Sequence, residues 1–248
     1  MGFVVLPATL SDIRSVYDVW FAAFRGQVIL DLIYPGTNLD DEAFRKLHAD
    51  GTLEYWKGLT MEYTFKCVDT ETGKIVGMAT WQVYWRERTA EERVKPWIGW
   101  LEGQQRERAE TFLGQLWEKR EKYIGEKRHV CTCIFVRNIV RDSLLTSVDC
   151  HTVAVHPDYQ GRGVGKKLMQ WGLDIAEQLK VPIYLESTHE GRSLYERLGF
   201  ATLQEGVVFK PGVTQLKEDI EAPLMVRMPA AAGGMTFEQW MDGGYSRL

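Results

Sequence analysis

A glycine-rich turn after an apolar stretch is the feature of this sequence with the clearest chemical meaning. The chain reads Val-Ala-Val at 153–155, and the turn that follows contains Gly161, Gly163 and Gly165. The periodicity of the next residues predicts a helix over 163–180. Main-chain N–H groups at the start of a helix attract negative charge, and the helix dipole adds to this attraction. The spacing therefore predicts a site for a phosphate or pyrophosphate group.

Two common phosphate-binding loops do not fit these residues. A P-loop needs a glycine where this chain has Gln160, and a Ser or Thr where it has Lys167. A dinucleotide fingerprint needs two residues between its second and third glycines, whereas a single residue separates Gly163 from Gly165. Both alternatives fail on residue type or spacing.

Two motifs together resemble the GNAT superfamily of N-acetyltransferases. The pattern Gln160-x-x-Gly163-x-Gly165 is similar to its acetyl-coenzyme A loop, and residues 194–200 are similar to its Leu-Tyr-Glu-Lys-x-Gly-Phe ending. The resemblance spans 147–200 and implies an α/β fold with a mixed central sheet flanked by helices. The donor-binding residues that follow from it are Val153, Ala154, Val155, Gln160, Gly161, Arg162, Gly163, Val164, Gly165, Lys166, Thr188 and Tyr195.

Three ionisable side chains near this turn are candidates for the catalytic base. Asp149 and His151 lie two residues apart on a strand predicted over 148–155, so both project to one face. Imidazole takes up a proton near neutral pH, and a carboxylate can orient it or act alone. Glu186, at the end of a strand predicted over 182–186, is an alternative base that acts through water. For each of them the other interpretation is a polar group facing solvent at a strand end.

The resemblance also assigns roles to individual residues. Tyr195 matches the superfamily's general acid, which protonates the leaving thiolate; ordinary thiol and phenol pKa values of about 8.5 and 10 make that transfer nearly balanced. Arylalkylamine acetyltransferases, one branch, carry two histidines on the strand before the loop. His151 matches the second of these histidines, and Asp149 departs from the pattern at the first.

The same resemblance implies how the donor is held. In the superfamily the strand that contains Val153 and Val155 separates from the next strand, and the pantetheine arm pairs with the freed main chain. The main-chain amide of Val153 is the expected oxyanion donor. Thr188 stands where many members place an asparagine that binds this arm, so that contact is expected to be weaker or to be made by His189 or Ser193.

Composition limits the possible partners and compartments. The 248 residues are 45% hydrophobic, which is enough for a substantial core. The net charge is −4, whereas a nucleic-acid-binding protein usually has an excess of basic residues. No apolar run is long enough to span a membrane, and Cys131 and Cys133 lack the spacing of a metal site. We therefore expect a cytoplasmic monomer or homodimer with no metal, nucleic-acid or membrane partner.

The elements predicted around the site form one domain over 1–229, with a tail over 230–248 that docks through its aromatic residues. Residues 86–128 are rich in Arg and Glu and contain Trp97, Trp100 and Trp117. Typical members of the superfamily that the sequence resembles have a short turn here, so the resemblance implies that this segment is an insertion. The insertion is either a solvated helical face or a wall over the acceptor site, and we predict that at least one indole lines that site. Periodicity also predicts helices over 9–24 and 26–60, the latter broken at 34–36, and strands over 3–6, 63–68, 74–85, 201–209 and 223–228.

These expectations combine into one function with two alternatives. The first is transfer of an acetyl group from acetyl-coenzyme A to the primary amine of a small molecule, by direct attack. Asp149, His151 or Glu186 takes the amine proton, and Tyr195 gives a proton to sulfur. The alternatives are acetylation of protein N-termini or lysines, and a non-catalytic sensor of acyl-coenzyme A.

Overall fold

A mixed eight-stranded sheet forms the centre of the structure, a computed structural model that describes residues 2–57, 61–95, 97–132 and 152–246. The strands in chain order are β1 (Phe3–Pro7), β2 (Glu62–Asp69), β3 (Ile75–Tyr84), β4 (His129–Thr132), β5 (Val153–Val155), β6 (Ile183–Glu186), β7 (Ala201–Thr202), β8 (Val207–Phe209), β9 (Ile220–Ala222) and β10 (Leu224–Arg227). β8 and β9 pair with each other, and the other strands form the main sheet. The order across the main sheet is β1-β2-β3-β4-β6-β10-β7, with β5 paired to β3.

Helices cover both faces of this sheet, which confirms the predicted fold class. They are α1 (Ile13–Phe24), α2 (Val28–Ile33), α3 (Glu42–Lys57), α4 (Gly103–Tyr123), α5 (Val164–Leu179), α6 (Arg192–Arg197), α7 (Pro211–Thr214) and α8 (Phe237–Asp242). The break predicted at 34–36 lies between α2 and α3. No helix of the described residues is long and apolar enough to cross a membrane.

Two short strands, β4 and β5, lie one after the other along the same edge of β3. β4 pairs with residues 82–84 of β3, and β5 pairs with residues 77–79 of the same strand, both antiparallel. β6 runs parallel to β4 and pairs with it through residues 183–185. Among the described residues, β6 does not pair with β5. β5 and β6 therefore leave a gap in the sheet, directly before the glycine-rich turn.

Alternate side chains of β3 supply the two cores, because successive residues of a strand face opposite sides of the sheet. Ala79, Trp81 and Val83 belong to the apolar cluster that includes buried residues of α5. Met78 and Tyr84 belong to the other cluster, with buried residues of α1. All residues of β3 except the first are buried, which makes it the central strand of the fold.

The insertion between β3 and β4 is helical. It contains a 3₁₀ turn at Glu91–Arg93 and the 21-residue helix α4. Trp100 donates from Nε1 to the carbonyl of Ile33 at 3.0 Å, and Trp117 donates to the carbonyl of Arg93 at 3.2 Å. These bonds attach the insertion to α2 and to its own first turn.

The C-terminal residues pack on α4 and on each other. Phe237 and Trp240 of α8 are buried, and the Tyr245 hydroxyl donates to the carbonyl of Tyr123 at 2.9 Å. The Thr236 side chain accepts from the Gln239 N–H, which caps the start of α8. The aromatic residues of the tail therefore contribute to the core beside the insertion.

One strand prediction needs correction, and one strand of the main sheet was missed. The strand predicted over 201–209 is two strands in different sheets, because the chain leaves β10 after Leu203 and pairs again, with β9, only from Val207. β4 was not predicted, since its four residues are too short to show a period of two. The strand predicted over 148–155 is described only in its last part, as β5.

Close packing of α5 on β3 gives a stability prediction. A Cβ at Gly172 would overlap the indole ring of Trp81, which is fully buried and cannot move aside. We expect Gly172→Ala to lower the free energy of unfolding by about 1–3 kcal/mol, although alanine is intrinsically the better helix former. Thermal or urea unfolding measures the change. Gly212→Ala is the control, because its Cβ meets no heavy atom within 4 Å; equal stability of the two variants would contradict the prediction.

Candidate active site

A cavity of about 940 Å³ lies at the gap between β5 and β6. It is lined by the ends of β4 and β6, the whole of β5, the turn before α5, α6, and the C-terminal end of α1. Most of the residues predicted to bind the donor are therefore brought together around one space. Arg162 is the exception, since it does not line the cavity and instead lies over the Tyr159 ring at 5.1 Å.

The glycine-rich turn has a conformation that requires glycine. Gly161 and Gly163 have φ values of +72° and +83°, in the left-handed region, and a Cβ at either position would meet no atom within 4 Å. The backbone conformation, and not a lack of space for a side chain, therefore explains these two glycines. Gly163 immediately precedes α5, so the first main-chain N–H groups of that helix have no intrahelical acceptor. The turn can present them to an anion.

Gly165 is required for a different reason. A Cβ at this position would lie 3.0 Å from Cδ2 of Leu194, so its absence lets the first turn of α5 approach α6 closely. Lys166 and Arg197, one from each helix, also line the cavity. Their positive charges complement the helix start, which favours a ligand with several phosphate groups.

The main chain of β5 faces the cavity at alternate residues. Thr80 N–H donates to the carbonyl of Thr152 at 2.9 Å, and His156 N–H donates to the carbonyl of Val76 at 2.9 Å. Because hydrogen-bonded pairs alternate in an antiparallel ladder, the N–H and C=O groups of Val153 and Val155 point away from β3. The Gln160 side chain donates from Nε2 to the Val155 carbonyl at 3.2 Å.

The loop after β6 and α6 close another side of the cavity. Tyr195 lines it, is 9% exposed, and packs its ring edge-on against Phe200 with centroids 5.8 Å apart. Thr188 also lines it, and its hydroxyl oxygen accepts from the Gly191 N–H at 3.1 Å. A hydroxyl that accepts one bond still has its own proton to donate. Thr188 can therefore donate to a ligand.

Glu186 is a buried carboxylate whose ion-pair partner belongs to the insertion. Its Oε1 lies 3.0 Å from Nη2 of Arg120, and each side chain is only 2% exposed. The interpretation of Glu186 as a carboxylate facing solvent is wrong, because α4 covers it. Glu186 nevertheless lines the cavity.

Several residues of the site were missed by sequence reasoning. Thr132 and Thr152, at the facing ends of β4 and β5, line the cavity, and so do Phe24 and Gln27. Arg120 had a detectable signal, because it falls at helical spacing from the buried residues of α4 and a cation on an apolar helix face needs a partner. The other residues carry no sequence pattern that distinguishes them.

Other predicted residues lie elsewhere. None of the three indoles is among the described residues that line the cavity, so that prediction is not met. Trp97 is 46% exposed under the Arg106 guanidinium, 4.5 Å from its ring. Asp149 and His151 lie outside the described residues, as do Cys133 and Cys150.

The remaining cysteines and the ionisable clusters show no further site. Cys67 and Cys131 are buried and form no disulfide bond, and burial raises the pKa of Cys67 to about 11. Among the residues described, no group of three His, Cys, Asp or Glu side chains could hold a metal ion.

Similarity to known proteins identifies the class to which this site belongs. A family model described as "Acetyltransferase (GNAT) domain" matches residues 118–202. "Probable acyltransferase SID5" of Ajellomyces capsulatus is 34% identical over 161 residues, which are 65% of this chain and 99% of that protein. The protein is therefore an acyltransferase. The chain belongs to the GNAT superfamily of N-acetyltransferases.

Solved structures agree with this assignment at the level of the fold. The "histone acetyltransferase HPA2 and related acetyltransferase" of Corynebacterium glutamicum has a TM-score of 0.57 at 22% identity, covering 92% of this chain and 97% of that one. The mosquito "arylalkylamine N-Acetyltransferase like 5b" has a TM-score of 0.56 at 14% identity, covering 92% of this chain and all of that one.

Proposed function

We propose that the protein transfers an acetyl group from acetyl-coenzyme A to the primary amine of a small molecule. The observation that carries this proposal is that one cavity is lined by three features. They are the start of α5 after the glycine-rich turn, the main chain of β5 at the residues whose groups point away from β3, and Tyr195. An anionic, extended thioester needs these three features side by side.

The chain has residues that fit each part of the donor. The first N–H groups of α5, with Lys166 and Arg197, would hold the pyrophosphate. Val153 and Val155 would pair with the amide groups of the pantetheine arm, and the Thr188 hydroxyl would donate to it. Bound acetyl-coenzyme A would supply the thioester carbonyl that the amine attacks.

The residues of this chain would then move two protons. The amine nitrogen forms a bond to the carbonyl carbon while the bond from that carbon to sulfur breaks. Tyr195 gives its phenolic proton to the departing sulfur. Glu186 takes the amine proton through a water molecule, and His151 with Asp149 are the alternative base by sequence. The Val153 amide stabilises the negative charge on the carbonyl oxygen.

The walls of the cavity favour a small acceptor. Ala23 and Phe24 of α1, with Gln27 just after it, line the cavity in addition to β5 and α6. We expect these side chains to limit the room beside the strand ends, so that a compact amine is accommodated better than an extended peptide.

An acceptor screen tests this proposal. The protein is incubated with acetyl-coenzyme A and polyamines, arylalkylamines, amino sugars, amino acids or peptides, while free thiol is measured and products are weighed by mass spectrometry. We expect amine-dependent thiol release with a small amine. Turnover of peptides alone would support the protein-acetylating alternative. Donor binding without acetylated product from any amine would support the sensor.

A further inference from the structure

The insertion helix α4 places one arginine against Glu186, a residue that lines the cavity. Arg120 is fully buried, and its Nη2 lies 3.0 Å from Oε1 of Glu186. It shares the buried face of α4 with Leu116 and Tyr123, where an arginine without a partner would be costly. The pair joins the insertion to the strand that ends at the cavity.

The pair of Arg120 and Glu186 lies at the end of β6, where the sheet opens into the cavity. Thr132 of β4 lies opposite Leu185 of β6 in the parallel ladder, so Glu186 follows directly at the end of β4. Thr132 lines the cavity, and its buried hydroxyl has no hydrogen-bond partner among the described residues. Successive residues of a strand face opposite sides of the sheet, so the Glu186 side chain lies on the other face from Leu185 and Thr132, the face on which α4 packs. A carboxylate at this strand end can bind an amine or a water molecule.

We propose that Arg120 is a positioning residue that holds Glu186 at the acceptor end of the cavity, so that the insertion supplies part of the acceptor site. This inference rests on the proposed function. Arg120 does not line the cavity, so it acts through Glu186. Each carboxylate oxygen has more than one lone pair, so a carboxylate held by a guanidinium can also accept from an amine or a bridging water.

The insertion offers a matched control for loss of a buried guanidinium. Arg88 is bonded to Glu121 at 2.8 Å, with side chains 1% and 13% exposed, and neither residue lines the cavity. Arg88→Met and Arg120→Met thus remove the same group from two ion pairs of the same insertion. Only the second change reaches the cavity.

The experiment compares melting temperature, kcat and both KM values of these variants with a small amine found by the screen. We expect Arg120→Met to lower kcat by about 10-fold to 100-fold, because small displacements of a catalytic group have effects of that size. The amine KM rises, and the KM for acetyl-coenzyme A stays unchanged. Arg120→Lys, which keeps the charge but lacks the planar fork, recovers part of the loss. Arg88→Met lowers the melting temperature and leaves kcat unchanged.

A double variant covers the case in which Arg120→Met does not fold. Arg120→Met with Glu186→Gln removes both charges of the pair together, so we expect it to be more stable than Arg120→Met alone. If Arg120 acts through Glu186, this double variant has the kcat of Glu186→Gln alone. A kcat well below that of Glu186→Gln, or wild-type kinetics in folded Arg120→Met, overturns the inference while the proposed function stands. A wild-type protein that acetylates no amine overturns both.

Discussion

Replacing Tyr195 with phenylalanine lowers turnover by about 10²-fold or more, the loss typical of a positioned proton donor. The ring that lines the cavity and packs against Phe200 remains, so the fold and the affinity for acetyl-coenzyme A stay close to those of the wild type. Only the proton for the leaving sulfur is removed. Steady-state kinetics with a good amine acceptor and calorimetric titration of the donor measure the two effects.

Tyr159→Phe is the matched control for this loss. Tyr159 also lines the cavity with a phenol, but it belongs to the turn before α5, where its ring packs under Arg162. We expect turnover in this variant to stay within about 2-fold of the wild type, because no proton transfer is assigned to it. Equal losses in both variants, or full activity of Tyr195→Phe when chemistry limits the rate, would return Tyr195 to a packing role.

Replacing Gly163 with valine weakens binding of acetyl-coenzyme A by about 10-fold or more. Left-handed backbone costs a residue other than glycine about 1–3 kcal/mol, and about 1.4 kcal/mol corresponds to a factor of ten in Kd. The turn relieves this strain by changing φ at 163, which redirects the N–H groups at the start of α5. Calorimetry measures Kd, and circular dichroism checks that the variant is folded.

Gly163→Asn separates backbone conformation from side-chain bulk. Both new side chains enter the same open space, because no atom lies within 4 Å of a Cβ at this position. Asparagine tolerates the left-handed region and valine does not. We therefore expect Kd to rise in the order Gly, Asn, Val. Folded Gly163→Val with the wild-type Kd would remove the turn from donor binding.

The donor half of the site was predictable from sequence because its physics is local. A strand, a turn at positive φ and a helix start are consecutive in the chain, so 153–166 predicts its own geometry. Ten of these fourteen residues line the cavity. Their contacts with the donor stay a prediction that the variants above test.

The acceptor half could not be predicted in the same way, because it is assembled from distant segments. Phe24, Thr132 and Glu186 meet only through the order of the strands and the packing of α1. The partner of Glu186 comes from a helix whose charged sequence was compatible with a solvated face or a wall over the site. Only the helical spacing of Arg120 from apolar residues of α4 distinguishes this arginine in the sequence. The three indoles were more conspicuous, yet those of Trp100 and Trp117 donate to main-chain carbonyls outside the cavity.

The positions of β4 and β5 beside β3 also determine when the cavity can form during synthesis of the chain. β2 precedes β3 by a short turn, so one edge of β3 is covered as soon as both strands have been made. Its other edge waits for 129–132 and then for 153–155, and such distant pairings form slowly. An unfinished chain therefore exposes an apolar strand edge, which is prone to aggregate. The cavity is lined by residues from 23 to 198, so a ligand of this cavity can stabilise the chain only after these segments have been made and have packed together.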